Sequence, residues 1–242
     1  MPSPNGGRDV EDRLEQLRSR LSRVIVGIEA GGSGGRIGAV LVEVSGSGDD
    51  TVLDLHASHA VTLPDDLLSA LASLGGDLGA DDLAKLNFLV LHHIDSVFFG
   101  LVESAAIDTG RIDLIGLKGL EAGGREIPDD PGALSEMTGC IVASCFRIGP
   151  ERGVGKWLPV KESILRGMVA AMVERYDLDE IAREAVAVAL LANESVYHEA
   201  LDAVCPHGTQ PARSAVATRT VRRPGEVSHE AALHGEFFFP AV

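Results

Sequence analysis

The stretch RVIVGIEA (23–30), GGSGG (31–35), RIGAVLVEV (36–44), SGSGDD (45–50) and TVLDLHASH (51–59) decides how this chain folds. Its three apolar runs are rich in β-branched residues, and Gly, Ser and Asp separate them. Such runs in series, joined by tight turns, predict an antiparallel meander. Before it, residues 1–22 read as a loose start and a charged helix from Asp9 to Leu21. Val10, Leu14, Leu17 and Leu21 recur there at helical spacing.

After the meander the period changes. PDDLLSALASLG (64–75) predicts a short helix with Pro and two Asp in its first turn. ADDLAKLNFLVLHHIDSVFFGLVESAA (80–106) predicts a long helix, apolar over much of its circumference and therefore mostly buried. RIDLIGL (111–117) and TGCIVASCF (138–146) read as core strands. The Gly/Pro/acid segment 119–132 reads as a loop leading to a short helix, and 147–159 as a second loop. Helices near 160–175 and 178–204 follow, and the chain from Pro206 onward reads as loop. The order βββ–α–α–β–α–β–α–α implies an α/β domain.

Composition narrows the function. The chain has 242 residues, 45% apolar and 24% charged, which is globular composition. Its 36 acidic and 21 basic residues give a net charge of −15, which repels phosphate backbones, so no nucleic-acid partner is expected. No uninterrupted apolar run reaches the roughly 18 residues of a membrane span, and no apolar leader opens the chain. Three cysteines suit a reducing compartment, so a cytoplasmic protein without membrane attachment is expected. No zinc spacing links Cys205, His198 and His207, and neither a metal nor a cofactor is expected.

The turn Gly31-Gly32-Ser33-Gly34-Gly35 joins two strands, not a strand and a helix. It is therefore neither a dinucleotide fingerprint nor a Walker loop. Two readings stay open: a cradle of N–H groups for an anion, or a turn that needs positive φ. Cys140 and Cys145, an odd number of residues apart on one expected strand, should face opposite sides, one in the core and one toward a cleft. His92 and His93 point about 100° apart on a helix, so at most one of them serves a given site.

Several segments resemble the anhydro-N-acetylmuramic acid kinases. Gly27-Ile28-Glu29-Ala30-Gly31-Gly32-Ser33-Gly34-Gly35-Arg36-Ile37-Gly38-Ala39-Val40 is similar to that family's opening motif, GLMSGTSLDGIDAV. Leu83–Leu89 with RIDLIG (111–116) resembles its long helix and following strand. Asp130-Pro131-Gly132-Ala133-Leu134, Thr138-Gly139 and Phe146-Arg147 resemble its DPALIAERTG…DFR segment. Glu184–Glu194 resembles its C-terminal helix. The resemblance implies one lobe of the actin-like sugar-kinase fold over residues 23–205, a helical extension over 1–22 and a tail over 206–242.

The departures are as telling. The family's Thr and Asp in the phosphate turn fall on Gly32 and Gly35, and a second Asp falls on Gly38. Its His-Gly-Gln-Thr falls on Lys118-Gly119-Leu120-Glu121, and its catalytic Asp on Cys145. From about Leu165 the chain passes almost directly to the terminal helix, where the family carries its nucleotide-binding half. Phosphoryl transfer rests on positioning and charge neutralisation, so this truncated, degenerate relative is not expected to be an active kinase. The resemblance places Glu29, His92, Lys118 and Cys145 around the family's sugar pocket as candidate catalytic groups. It places Gly31, Ser33 and Arg147 there as candidate substrate contacts.

Two functions are expected in consequence. One is an ATP-independent enzyme of cyclase, dehydratase or hydrolase type acting on a small molecule, in specialised-metabolite biosynthesis. The other is a non-catalytic pseudokinase that binds a ligand or a protein. Loss of a lobe would uncover apolar surface, so a homodimer is expected. The FFFP segment (237–240) is expected to hook onto a partner or onto its own domain.

Overall fold

The computed structural model describes residues 6–32, 35–46, 50–73, 80–122, 125–127, 131–144, 159–197, 203–204 and 236–238. Helix α1 (Gly6–Ser19) leads into the meander β1 (Ser22–Gly32), β2 (Arg36–Ser45) and β3 (Val52–Thr62). Helices α2 (Asp65–Ala72) and α3 (Ala80–Ala105) come next, then β4 (Leu114–Lys118). A small hairpin, β5 (Leu120–Ala122) and β6 (Arg125–Ile127), precedes α4 (Pro131–Thr138) and β7 (Val142–Ser144). Helices α5 (Pro159–Tyr176) and α6 (Glu180–Tyr197) follow, with β8 (Ala203–Val204) and β9 (Glu236–Phe238) last.

The main sheet has seven strands in the order β3-β2-β1-β4-β7-β9-β8. β1 is antiparallel to β2 and β2 to β3, as the turn chemistry predicts, whereas β1–β4 and β4–β7 are parallel. β2 is buried along nearly its whole length because helices cover both faces. The core is therefore split. Ile25, Val42, Leu114 and Ala143 pack with α1, α5 and α6 on one face. Val26, Ile28, Leu41, Ile115 and Val142 pack with α2, α3 and α4 on the other.

A bulge at His56 keeps this division coherent. Leu41 pairs with Ala57 and Val42 with Leu55, so His56 is the extra residue. Leu53 and Leu55 therefore join the α6 side, while Ala57 and Val61 join the α3 side. Without the bulge, a strict period of two would send all four to one face.

Helix α6 lies unusually close to the sheet because glycines face it. A methyl group on Gly27 of β1 would overlap the carbonyl oxygen of Ala185 and would lie 2.8 Å from Ala189 Cβ. One on Gly116 of β4 would lie 2.8 Å from both Val188 O and Ala192 Cβ, and one on Gly38 of β2 would lie 2.5 Å from Ile181 Cγ1. The alanines of AREAVAVALLA (182–192) are the complementary surface. At the far end of α6, the fully buried Arg23 donates to Asn193 Oδ1 at 2.8 Å and to Gly46 O at 2.7 Å. It also donates to Arg20 O at 3.0 Å, so it ties α1, the β1–β2 pair and α6 together.

Six expectations change. The helix expected over 178–204 is α6, which ends at Tyr197, and Ala203–Val204 forms β8 instead. Of the strand expected over 138–146, the described residues give β7 over Val142–Ser144, with Thr138 closing α4. Leu14 and Leu17 of α1 are buried, but the helix stops before Leu21, which is exposed; the side chain of Val10 lies outside the described residues. The segment 119–132 contains the β5–β6 hairpin, paired through Leu120↔Ile127. Within the tail expected to be loop, Glu236–Phe238 forms β9 and pairs antiparallel with β7. α3 is not mostly buried: it packs on the sheet by one stripe, and 28% of its most apolar window is buried. By length and composition alone Asp81–Ala105 would suffice to cross a membrane, although no single run in it is uninterrupted.

The glycine contact predicts opposite outcomes for two identical substitutions. Gly27→Ala should destabilise the fold by about 3 kcal/mol, because Cβ meets backbone that cannot give way. Gly167→Ala, in α5 with open space around it, should stabilise by about 0.5–1 kcal/mol through helix propensity. Urea denaturation of the two variants checks the difference in sign.

Candidate functional site

Glu29 lies two residues beyond Gly27 on β1, so both share the face that α6 covers. Lys118 stands in the same relation to Gly116 on β4, and the parallel register sets Glu29 opposite Lys118. Both residues are therefore at the carboxyl ends of adjacent parallel strands, where sites of α/β proteins collect. The first turns of α6 roof this end of the sheet: Ile181 sits over Gly38, which is Glu29's register partner on β2.

The pair is close and asymmetric. Lys118 Nζ donates to Glu29 Oε2 at 2.9 Å, and the Gly31 amide donates to Glu29 Oε1 at 2.8 Å. The Glu29 side chain is 1% exposed and that of Lys118 40%. Water thus reaches the ammonium but hardly the carboxylate. Burial pushes the Glu29 carboxyl above its ordinary value, and Glu184 on α6 adds to the rise. The Lys118 bond and charge and the Gly31 amide pull it part of the way back. A carboxyl held like this changes protonation closer to neutral pH than a solvated one, the property wanted of a proton-transfer group.

Gly31 is built into this arrangement. A methyl there would lie 3.0 Å from Glu29 Oε1 and 3.2 Å from Gly119 O. Its amide proton is directed at Glu29, so this N–H serves the chain's own carboxylate. Gly35 has φ of 65°, so the turn reading holds at that residue.

Ser33, Cys145 and Arg147 fall outside the described residues. His92 is exposed on α3, on the opposite side of the sheet from the α6 layer, and the fold does not bring it to Glu29 and Lys118. Its ring lies 5.9 Å from that of His93. Cys140 does not belong to β7; it precedes that strand and packs in the core, where burial pushes its thiol up. Among the described residues, no His, Cys, Asp and Glu side chains cluster so as to hold a metal ion. Glu184 was not singled out in the sequence, although it opens the segment that resembles the kinases' last helix.

No family model matches the chain. It is 25% identical over 165 residues to the anhydro-N-acetylmuramic acid kinase of Caldanaerobacter subterraneus subsp. tengcongensis. The relationship to sugar kinases is a distant one. The match covers 62% of this chain and 42% of that relative, so the chain spans well under half of the kinase's length. A mixed sheet flanked by helices is consistent with a single lobe of a kinase-like fold.

Protonation of Glu29 couples to stability with a definite sign. Its folded pKa is raised, so its favourable contribution is present below the ordinary value of 4.5 and is lost as pH rises through the folded value. Glu29→Gln, which mimics the protonated acid, should match the wild type at low pH and gain on it as pH rises. Lys118→Met should do the reverse, costing about 1–3 kcal/mol near neutral pH and less in acid. Denaturant titrations between about pH 4 and pH 8 distinguish these slopes.

Proposed function

We propose that this chain is an acid/base enzyme acting on a small hydroxylated molecule, derived from a sugar-kinase lobe but without phosphoryl transfer. The observation that carries the reading is the buried Glu29 carboxyl, which accepts hydrogen bonds from Lys118 and Gly31 at the carboxyl ends of β1 and β4. As a carboxylate, Glu29 takes a proton from a substrate hydroxyl or from a carbon beside a carbonyl. As a carboxylic acid, it returns that proton to a departing oxygen. The net change is the loss or addition of one water, or a ring closure, with the protein restored. Lys118 orients the carboxylate and faces developing negative charge from its solvated side.

Two packing contacts support the absence of kinase chemistry. The glycines that stand at the family's acidic positions are covered by apolar side chains. A Cβ on Gly35 would lie 2.5 Å from Leu68 Cδ1, and one on Gly38 the same distance from Ile181 Cγ1. A carboxylate at either point would have to displace a leucine or an isoleucine.

The test is an incubation with hydroxylated acids and amino sugars, anhydro-N-acetylmuramic acid among them, with and without Mg²⁺ and ATP. Mass spectrometry should find a substrate changed by one water, independent of ATP. Glu29→Gln should slow that change by about 10²–10⁴-fold while remaining folded. Gly38→Asp should lower stability and release no ADP. ATP-dependent phosphorylation that survives Glu29→Gln would refute the proposal. The second reading, a non-catalytic binding module, is favoured by the exposed apolar face of α3; it predicts ligand or partner binding that Glu29→Gln leaves intact.

A further inference from the structure

Helix α3 presents an exposed apolar stripe. Phe88 is 70% exposed, Phe99 43% and Leu89 42%. On an α-helix these residues share one side with Lys85, His92, Ser96 and Glu103, all of them exposed. The opposite side, through Leu86, Val90, Ile94, Val97 and Leu101, is buried against the sheet. The exposed series 85, 88/89, 92, 96, 99, 103 recurs at spacings of three and four, the pattern of a helix that packs against a second helix.

We infer that the α3 face is where two copies of this chain associate, through antiparallel pairing of α3 with α3 about a twofold axis near His93 and Ile94. The series is self-complementary in that direction. Phe88 and Leu89 of one copy meet Phe99 of the other. His92 meets Ser96. Lys85 at one end meets Glu103 at the other, so two opposite-charge pairs flank the aromatic centre. Among the described residues, Lys85 pairs with Asp82, one turn away at 3.6 Å, with both side chains well exposed. Exposed pairs of that kind hold a lysine weakly.

The two ends of the stripe favour a second copy over a lipid surface: an antiparallel copy offers Glu103 to Lys85 and Lys85 to Glu103, which a bilayer does not. A parallel pairing would set Lys85 on Lys85 and Glu103 on Glu103. A helix pair of this length covers less than the about 1,200–2,000 Å² of a standard interface. We expect association in the micromolar range.

The experiment is sedimentation equilibrium of the full chain across micromolar concentrations, with charge reversals at the two ends of the stripe. The wild type should dimerise. Lys85→Glu and Glu103→Lys should each weaken the dimer about tenfold or more, since each replaces both attractive pairs by repulsive ones. The double variant should return to wild-type affinity. Glu103→Lys makes the chain less acidic, so relief of general repulsion would strengthen the dimer and cannot imitate the expected loss. Phe88→Asp should abolish association while circular dichroism stays unchanged, because the ring is exposed in the single chain. A wild type that remains monomeric would overturn the inference, whether α3 is covered by another part of the chain or bound by phosphatidylcholine vesicles. A dimer indifferent to the single reversals, or one not restored by the double variant, would overturn it too.

Discussion

The contact on which the rest of this structure depends is the close approach of α6 to Gly27, Gly38 and Gly116. An ordinary helix is held off a sheet by interlocking side chains. Here three strands offer no side chain and the helix offers mainly alanines, so backbone nearly meets backbone. The arrangement gives up large apolar side chains and gains dense packing, which is unforgiving of added volume. It also fixes α6 in rotation and in height, because any shift would bring a carbonyl of the helix against a strand.

That constraint positions the candidate site. With α6 seated on the glycines, the next residues outward on the same face are Glu29 and Lys118, and the first turns of α6 close over them. Glu29 is buried because the helix is near, its carboxyl is raised because it is buried, and Glu184 joins because it rides on the same helix. At the other end of α6, Arg23 and Asn193 lock the helix to β1, so a disturbance at either end is carried along a rigid element. The same layering explains why His92 is not part of the site. It projects into solvent from the opposite side of the sheet, on a helix whose buried stripe faces inward.

Much of this architecture was legible in the residues. RVIVGIEA, RIGAVLVEV and TVLDLHASH announce strands by composition, and the glycine-rich turns between them allow only short connections. The α3 helix was readable too, but its exposure was not, because an apolar circumference does not say how many neighbours a helix has. The bulge at His56 left no mark that periodicity could detect, since Leu53, Leu55, Ala57 and Val61 keep the same alternation whether or not they change faces. β9 was hidden for a related reason: three residues are too few for a periodic signal, and their pairing with β7 is non-local. Glu29 and Lys118 could be named from the kinase resemblance. Their mutual contact depends on the register between two strands far apart in sequence, which neither residue reveals. The positions of Ser33, Cys145 and Arg147 belong to segments outside the described residues.

The candidate site stands on one property of Glu29: its buried carboxyl holds its proton more tightly than a solvated glutamate does. Carbon-13 NMR of side-chain carboxyls, with Glu29→Gln used to assign the resonance, measures it directly. The account predicts a Glu29 titration midpoint above the ordinary 4.5, moving higher still when Lys118 is replaced by methionine. A midpoint at or below 4.5 would contradict it, because the carboxylate would then be a stabilised ion-pair partner and not a base set aside for proton transfer.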